Sequence, residues 1–315
     1  MPRPPESARP ATSPATRRFP TTTRTSRPSR GSASRTSETW TARSHQRRIR
    51  PSRSRLTADH AAHPHEEHES RYREGDAAAW DRPLRDTELY DPARRDVYNF
   101  IDETKVRYLR PMLPPAGNAI EVGAGSGRLL IRLGQERPYR LVALDYAPYS
   151  VRAVRENLRR SALPGDALFG DALALPFADA SFDVVLSGGL LEHFREPGEV
   201  IREMARVLRP AGLFYADIVP RKVSLYRWAE RTRMAHDEHL AKGIYESDFP
   251  KRAWARLARE SGLRDVRIVS AGVYPPYTRP GFEQLLWRYP GFFRALDGTP
   301  VADVLGFFYM LTGRK

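Results

Sequence analysis

The stretch AIEVGAGSGRLLIRLG, Ala119 to Gly134, decides the fold of this chain. Ala119 to Val122 reads as a short buried strand, and three glycines at alternate positions, Gly123, Gly125 and Gly127, break it. Leu129, Leu130 and Leu133 then recur at helical spacing, so an amphipathic helix follows the turn. A strand that turns through glycines into a helix brings bare backbone and a helix N-terminus against a nucleotide-like ligand. The dinucleotide fingerprint G-x-G-x-x-G needs a small third residue where helix and strand pack closely. Here Arg128 stands in that place, the spacing is G-x-G-x-G, and Glu121 lies two residues before the first glycine.

The segments downstream keep a consistent order. RLVALDY, Arg140 to Tyr146, reads as a second buried strand ending in Asp145. An acid at that strand tip, about 20 residues after the glycines, is placed to accept hydrogen bonds from ribose hydroxyls. Tyr149 to Arg160 keeps Val151, Val154 and Leu158 at helical spacing. GDALALPFADASFDVVLSGGLLEHF follows, from Gly170 to Phe194, with Phe182 to Ser187 as the fourth strand. Glu199 to Pro220 supplies a helix, a Pro-Ala-Gly turn and the fifth strand.

This ordered set, over roughly 118–220, resembles the class I S-adenosylmethionine-dependent methyltransferases. The likeness is nearest to the small-molecule group that carries a Leu-Glu-His element after strand four, here Leu191-Glu192-His193. The resemblance implies an α/β fold, a doubly wound, mostly parallel, seven-stranded Rossmann-like sheet, with S-adenosyl-L-methionine as cofactor. It also implies a donor site made by Glu121, Gly123, Ala124, Gly125, Gly127, Asp145, Tyr146, Asp171, Ala172 and Ser187. Asp171 and Ala172 fall where the family sets an acid and a backbone amide against adenine, and the end of the fourth strand opens toward the methyl donor. Ala211 departs from the pattern, replacing one of two glycines usual in the turn before strand five.

A sulfonium methyl is already activated, so such an enzyme chiefly aligns the acceptor with the carbon–sulfur bond. A hydroxyl or acidic carbon also needs a proton removed. His193 is the candidate general base and Glu192 the weaker one. Two other motifs are set aside. Tyr274-Pro275-Pro276-Tyr277 is similar to the signature of exocyclic-amine methyltransferases but follows the wrong strand, since strand four ends in Ser187-Gly188-Gly189-Leu190. Glu192 and Glu196 lack the surroundings of an arginine-holding glutamate pair.

Charge divides the chain. The net +14 is concentrated in Met1 to Leu56, with about fourteen arginines against Glu6 and Glu38, which leaves the rest near +2. The basic balance therefore describes a tail and gives no warrant for a specific nucleic-acid site on the folded domain. Residues 1–75 are expected to be a disordered Arg/Ser/Pro-rich tail with a His-rich linker, and 76–315 the methyltransferase domain. A solvated extension, a polyanion-binding arm and a transit peptide all remain open for the tail. In the linker, His60, His63, His65 and His68 have ligand-like spacing, but Pro64 breaks any helix that would align them, so no metal site is expected. Without cysteine there are no disulfides, no cysteine zinc sites and no thiol nucleophile for a pyrimidine ring. No apolar run is long enough to span a bilayer, and a cytoplasmic protein with a small-molecule substrate is expected.

Flanking the core, Asp91 is expected to cap a helix running to Leu109, with Val97, Phe100, Ile101 and Val106 on one side. Tyr90 and Tyr98 fit either ligand contact or core packing. Ser247 or Asp248 is expected to cap a helix from Phe249 to Glu260. Strands six and seven are placed at Val266 to Val273 and Leu305 to Thr312. Two segments exceed what the fold needs, 221–247 and 274–303, and are expected to carry substrate or lid functions through Tyr226, Trp228, Tyr277 and Trp287. For the second segment an oligomer contact and a helical subdomain remain alternatives.

Overall fold

The computed structural model describes residues 90–222, 224, 245–274 and 281–315, all within one compact unit spanning residues 48–315. The tail, the His-rich linker and Tyr226, Trp228 and Tyr277 lie outside the described residues.

Seven strands form one sheet: β1 Gly117–Val122, β2 Tyr139–Asp145, β3 Gly165–Phe169, β4 Phe182–Gly188, β5 Leu208–Ile218, β6 Arg264–Ala271 and β7 Phe308–Arg314. Their order is β3-β2-β1-β4-β5-β7-β6, and every pairing is parallel except those of β7. The chain starts in the middle, winds out to β3 and returns to β4, so the winding reverses between β1 and β4. A crevice opens outside the carboxyl ends of the strands at such a point. The expected doubly wound sheet is therefore present.

Both faces are covered, which is why the strands read as continuous apolar runs. Ala119 joins one core cluster with Leu130 and Leu133 of α2 (Arg128–Glu136) and Val154 of α3 (Pro148–Arg160). Its neighbour Ile120 points the other way, into a cluster with Ile201 and Met204 of α4 (Pro197–Val207). Trp254, fully buried on α5 (Lys251–Glu260), belongs to the same cluster.

Several boundaries differ from expectation. The first described helix, α1, runs Val97–Leu109 and is capped by Asp96, whose carboxylate accepts the Asn99 N–H at 2.7 Å. Asp91 instead closes a turn by accepting from Ala93 N–H at 2.9 Å. Neither Ser247 nor Asp248 caps α5. Pro250 holds the cap position, and a residue before proline is kept extended, so Phe249 cannot start the helix. Strand β7 begins three residues late because Thr299 caps a short helix, Pro300–Leu305, accepting from Ala302 N–H.

The long connection between β6 and β7 is helical where described: α6 Phe282–Arg288, α7 Pro290–Ala295 and α8 Pro300–Leu305. It braces α1. The Trp287 indole N–H donates to the Asp96 carbonyl at 3.1 Å, and Trp287 and Tyr274 both stand edge-on to Phe100. Arg294 pairs with Glu103, and Glu283 accepts the Val97 N–H. Of the alternatives open for this segment, packing of a helical subdomain describes Trp287.

A buried charged network ties α1 to the sheet. Lys105 Nζ lies 2.8 Å from Asp217 Oδ2 on β5, and Arg128 Nε lies 2.8 Å from Asp102 Oδ2. Glu121, on β1, accepts the Leu130 N–H of α2 at 3.1 Å. Burial pushes the Glu121 carboxyl up to about 8, against the Leu130 hydrogen bond and the nearby Lys105 charge, which favour ionisation. Burial works to lower the Lys105 value, but the charges of Asp217, Asp102 and Glu121 and the Asp217 hydrogen bond together outweigh it and raise the net result.

Two measurements test this account. Ala211 sits at φ 63°, a left-handed conformation that costs a residue with a Cβ roughly 1–2 kcal/mol. Ala211→Gly relieves that strain but gives back about 0.4–1 kcal/mol through the freer unfolded chain. The variant should therefore melt about 1–3 °C higher by calorimetry. Glu121 holds a proton in the folded chain that the unfolded chain releases above about 4.5. Its contribution to stability is thus complete below that pH and is lost as pH rises through about 8. Glu121→Gln, which keeps the carbonyl for Leu130, should lose less stability than wild type between those limits in denaturant titrations.

Candidate active site

The loop after β1 turns back on itself at once. Gly123 N–H donates to the Leu144 carbonyl at 2.8 Å, so the chain leaves β1 pinned to the end of β2. Gly123 and Gly125 have φ of 68° and 55°, where only glycine is at ease. Their spatial demands differ. A Cβ on Gly123 would strike Leu190 at 2.7 Å, whereas one on Gly125 would meet nothing within 4 Å. Gly125 therefore presents backbone to open space.

That space is a cavity of about 220 Å³ at the carboxyl ends of β1, β2 and β4. Gly123, Gly125, Asp145, Tyr146, Asp171 and Ala172 line it, joined by His193. Leu144, Ala147, Leu190 and Phe194 add an apolar wall that the sequence reading did not list. The remaining expected residues sit elsewhere. Glu121 is buried beneath the turn with its carboxylate on Leu130 N–H, and Ala124, Gly127 and Ser187 are not among the lining residues. Gly188 and Gly189 are, and the Ser-Gly-Gly run ending β4 was their signal.

Asp145 is held from two sides. Its Oδ2 accepts from Gly125 N–H at 2.7 Å and its Oδ1 from Ala147 N–H at 2.8 Å. Burial raises its carboxyl above the ordinary aspartate value, and these hydrogen bonds limit the rise. Next to it, the Tyr146 ring stacks on Phe169 at 5.4 Å, giving the cavity rim an aromatic face. Asp171 Oδ1 accepts from Leu173 N–H at 2.9 Å, which fixes the turn that carries Ala172.

His193 closes a single 3₁₀ turn, Leu191–His193, and its Nδ1 lies 2.8 Å from the Tyr245 carbonyl oxygen. A carbonyl only accepts, so the neutral imidazole carries its proton on Nδ1 and its lone pair on Nε2. Glu192 is oriented differently. It is buried, its Oε1 accepts from Val219 N–H at 2.9 Å, and it does not line the cavity. Burial raises its carboxyl, against the opposing effect of the His193 charge. Glu192 thus joins the loop after β4 to the end of β5, with its carboxylate turned to Val219 and away from the cavity lining.

Among the described residues there is no cluster of His, Cys, Asp and Glu able to hold a metal ion, and no helix long and apolar enough to cross a membrane.

Comparison with known proteins agrees with this architecture. Residues 120–216 match a family model described as a methyltransferase domain. The 27-O-demethylrifamycin SV methyltransferase of Amycolatopsis mediterranei is 32% identical over 190 residues, 58% of this chain and 66% of that protein. A demethylmenaquinone methyltransferase of Roseiflexus castenholzii is 37% identical over 102 residues, 31% of this chain and 41% of that protein. This chain therefore spans less than two thirds of the length of either. A crystal structure from Galdieria sulphuraria, described as a candidate sarcosine dimethylglycine methyltransferase, has the same fold at 18% identity. Its TM-score is 0.51, over 74% of this chain and 90% of that one. Residues 120–216 thus carry a methyltransferase domain by sequence match, and the seven-stranded sheet built around them has the fold of the class I S-adenosylmethionine-dependent methyltransferases.

Proposed function

We propose that this chain transfers a methyl group from S-adenosylmethionine to a small-molecule acceptor of aromatic or lipid-like character. The observation that carries the reading is the cavity at the winding reversal, with open backbone at Gly125 on one side and a strand-end acid, Asp145, on the other. The relatives' names support the acceptor class, being enzymes of demethylrifamycin and demethylmenaquinone.

The residues present fit the donor. Gly125 leaves room that any side chain would fill, and Asp145 offers carboxylate oxygens to ribose hydroxyls. Asp171, Ala172 and the Tyr146 ring supply an acid, a backbone amide and an aromatic face for the adenine. Bound there, the donor supplies an activated methyl group. The chain contributes alignment and water exclusion, through the apolar wall of Leu190 and Phe194. His193 removes the acceptor's proton at Nε2, its orientation set by the Nδ1 contact with Tyr245.

Calorimetry should detect binding of S-adenosylmethionine and of S-adenosylhomocysteine to the wild-type chain. Asp145→Ala should weaken both at least tenfold, about 1.4 kcal/mol, and Gly125→Val should abolish both. Binding of a nicotinamide dinucleotide in their place would refute the reading. Once an acceptor is found, His193→Gln should lower kcat about 10²-fold or more while donor affinity stays within about threefold. Unchanged kcat would remove His193 as base and leave the donor assignment standing.

A further inference from the structure

Gly188 has no conformational reason to be glycine. It ends β4 and lines the cavity, and it is not among the residues with left-handed φ. The demand is one of space. A Cβ at this position would lie 3.2 Å from Asp217 Oδ1, closer than ordinary van der Waals contact. Gly188 and Asp217 are register partners across β4 and β5, so the carboxylate stands against the cavity wall where that wall has no side chain.

The two oxygens of Asp217 are in different situations. Lys105 Nζ holds Oδ2 at 2.8 Å, while Oδ1 is shielded from bulk water without a hydrogen-bond partner. Asp102 and the Tyr215 hydroxyl lie near the carboxylate, and Glu121 is close enough to feel both it and Lys105. Leaving one oxygen of a buried carboxylate unsatisfied is unfavourable, and an apolar pair of similar volume would fasten α1 to β5 equally well. A hydrogen-bond donor arriving through the Gly188 wall would satisfy Oδ1.

We propose that Asp217, fixed by Lys105, orients the methyl acceptor, its Oδ1 accepting a hydrogen bond from an O–H or N–H of the acceptor other than the one that His193 deprotonates. This rests on the methyl-transfer reading above. Lys105 keeps Oδ2 occupied, so that only the oxygen facing Gly188 is offered, and α1 thereby helps to set acceptor geometry from outside the cavity.

The test incubates the full chain with tritium-labelled S-adenosylmethionine and a bacterial metabolite extract, then follows the labelled product. The double variant Lys105→Met/Asp217→Leu exchanges the ion pair for apolar side chains and should keep its melting temperature and donor affinity. Its kcat/KM for the labelled acceptor should fall at least 30-fold. Where the double variant does not fold, Asp217→Asn serves with the same readouts and an expected loss of at least tenfold. Wild-type turnover by a folded variant would overturn the proposal, leaving the pair as a fastening of α1. So would parallel losses of donor binding and thermal stability. Donor binding by the wild type without any labelled product would instead refute the methyl-transfer reading, and this inference with it.

Discussion

The carboxyl end of the sheet depends on how closely the loop after β1 approaches the loop after β4. Gly123 and Leu190 meet there, and the space left for a Cβ on Gly123 ends 2.7 Å from Leu190 Cδ1. The contact is between backbone and an apolar side chain, so it needs both a glycine and its left-handed φ. It fixes the width of the crevice that opens where the winding of the sheet reverses. Leu190 then presents its remaining surface to the cavity, and His193 follows three residues later on the same loop. One close approach thus sets the distance between the proposed donor side and the proposed proton-removing side.

A second set of constraints keeps this end from being an isolated crevice. Helix α1 precedes the sheet in sequence, yet Arg128 holds it to the glycine-turn helix and Lys105 holds it to the end of β5. The inserted helices α6 and α7 then grip its outer side through Trp287, Glu283 and Arg294. Ionic contacts of this kind contribute little net stability when weighed against apolar replacements. They do demand one registry of α1 against β5, because a shift would leave a buried lysine and a buried aspartate without partners. The loop after β4 is fastened in the same manner, with the Glu192 carboxylate on Val219 N–H and its carbonyl accepting from Ser247 N–H.

Much of the core was legible because its signals are local. Strands β1, β2, β4 and β5 are buried on both faces and therefore appear as apolar runs, and the glycine turn and Asp145 lie at fixed offsets from them. Strand β3 has no such local signal, since Gly165–Phe169 is a half-exposed edge strand with a single fully buried residue, Ala167. Asp91 followed by Pro92 has the local pattern of a helix start, but the cap is Asp96, and the contacts that hold it there, from Trp287 and Glu283, are tertiary. Glu121 shows the same limit at the site. Its offset from the glycines was readable, but not that its carboxylate would turn inward onto the Leu130 N–H.

The aromatic residues after β6 carry that argument furthest. Seven rings between Tyr274 and Phe293 fit a pocket wall, an oligomer contact or a packed helical subdomain, since aromatic density alone does not say which neighbour will cover it. Tyr274 and Trp287 are covered by Phe100, a residue more than 170 positions away that the local pattern gave no means to assign. Tyr289 and Phe292 remain exposed. Where it is described, the insert meets α1 and not the cavity lining. It holds α1, α1 carries Lys105, and Lys105 holds the carboxylate beside Gly188, so substitutions in the insert and in the cavity need not be independent even though none of the insert's described residues lines the cavity.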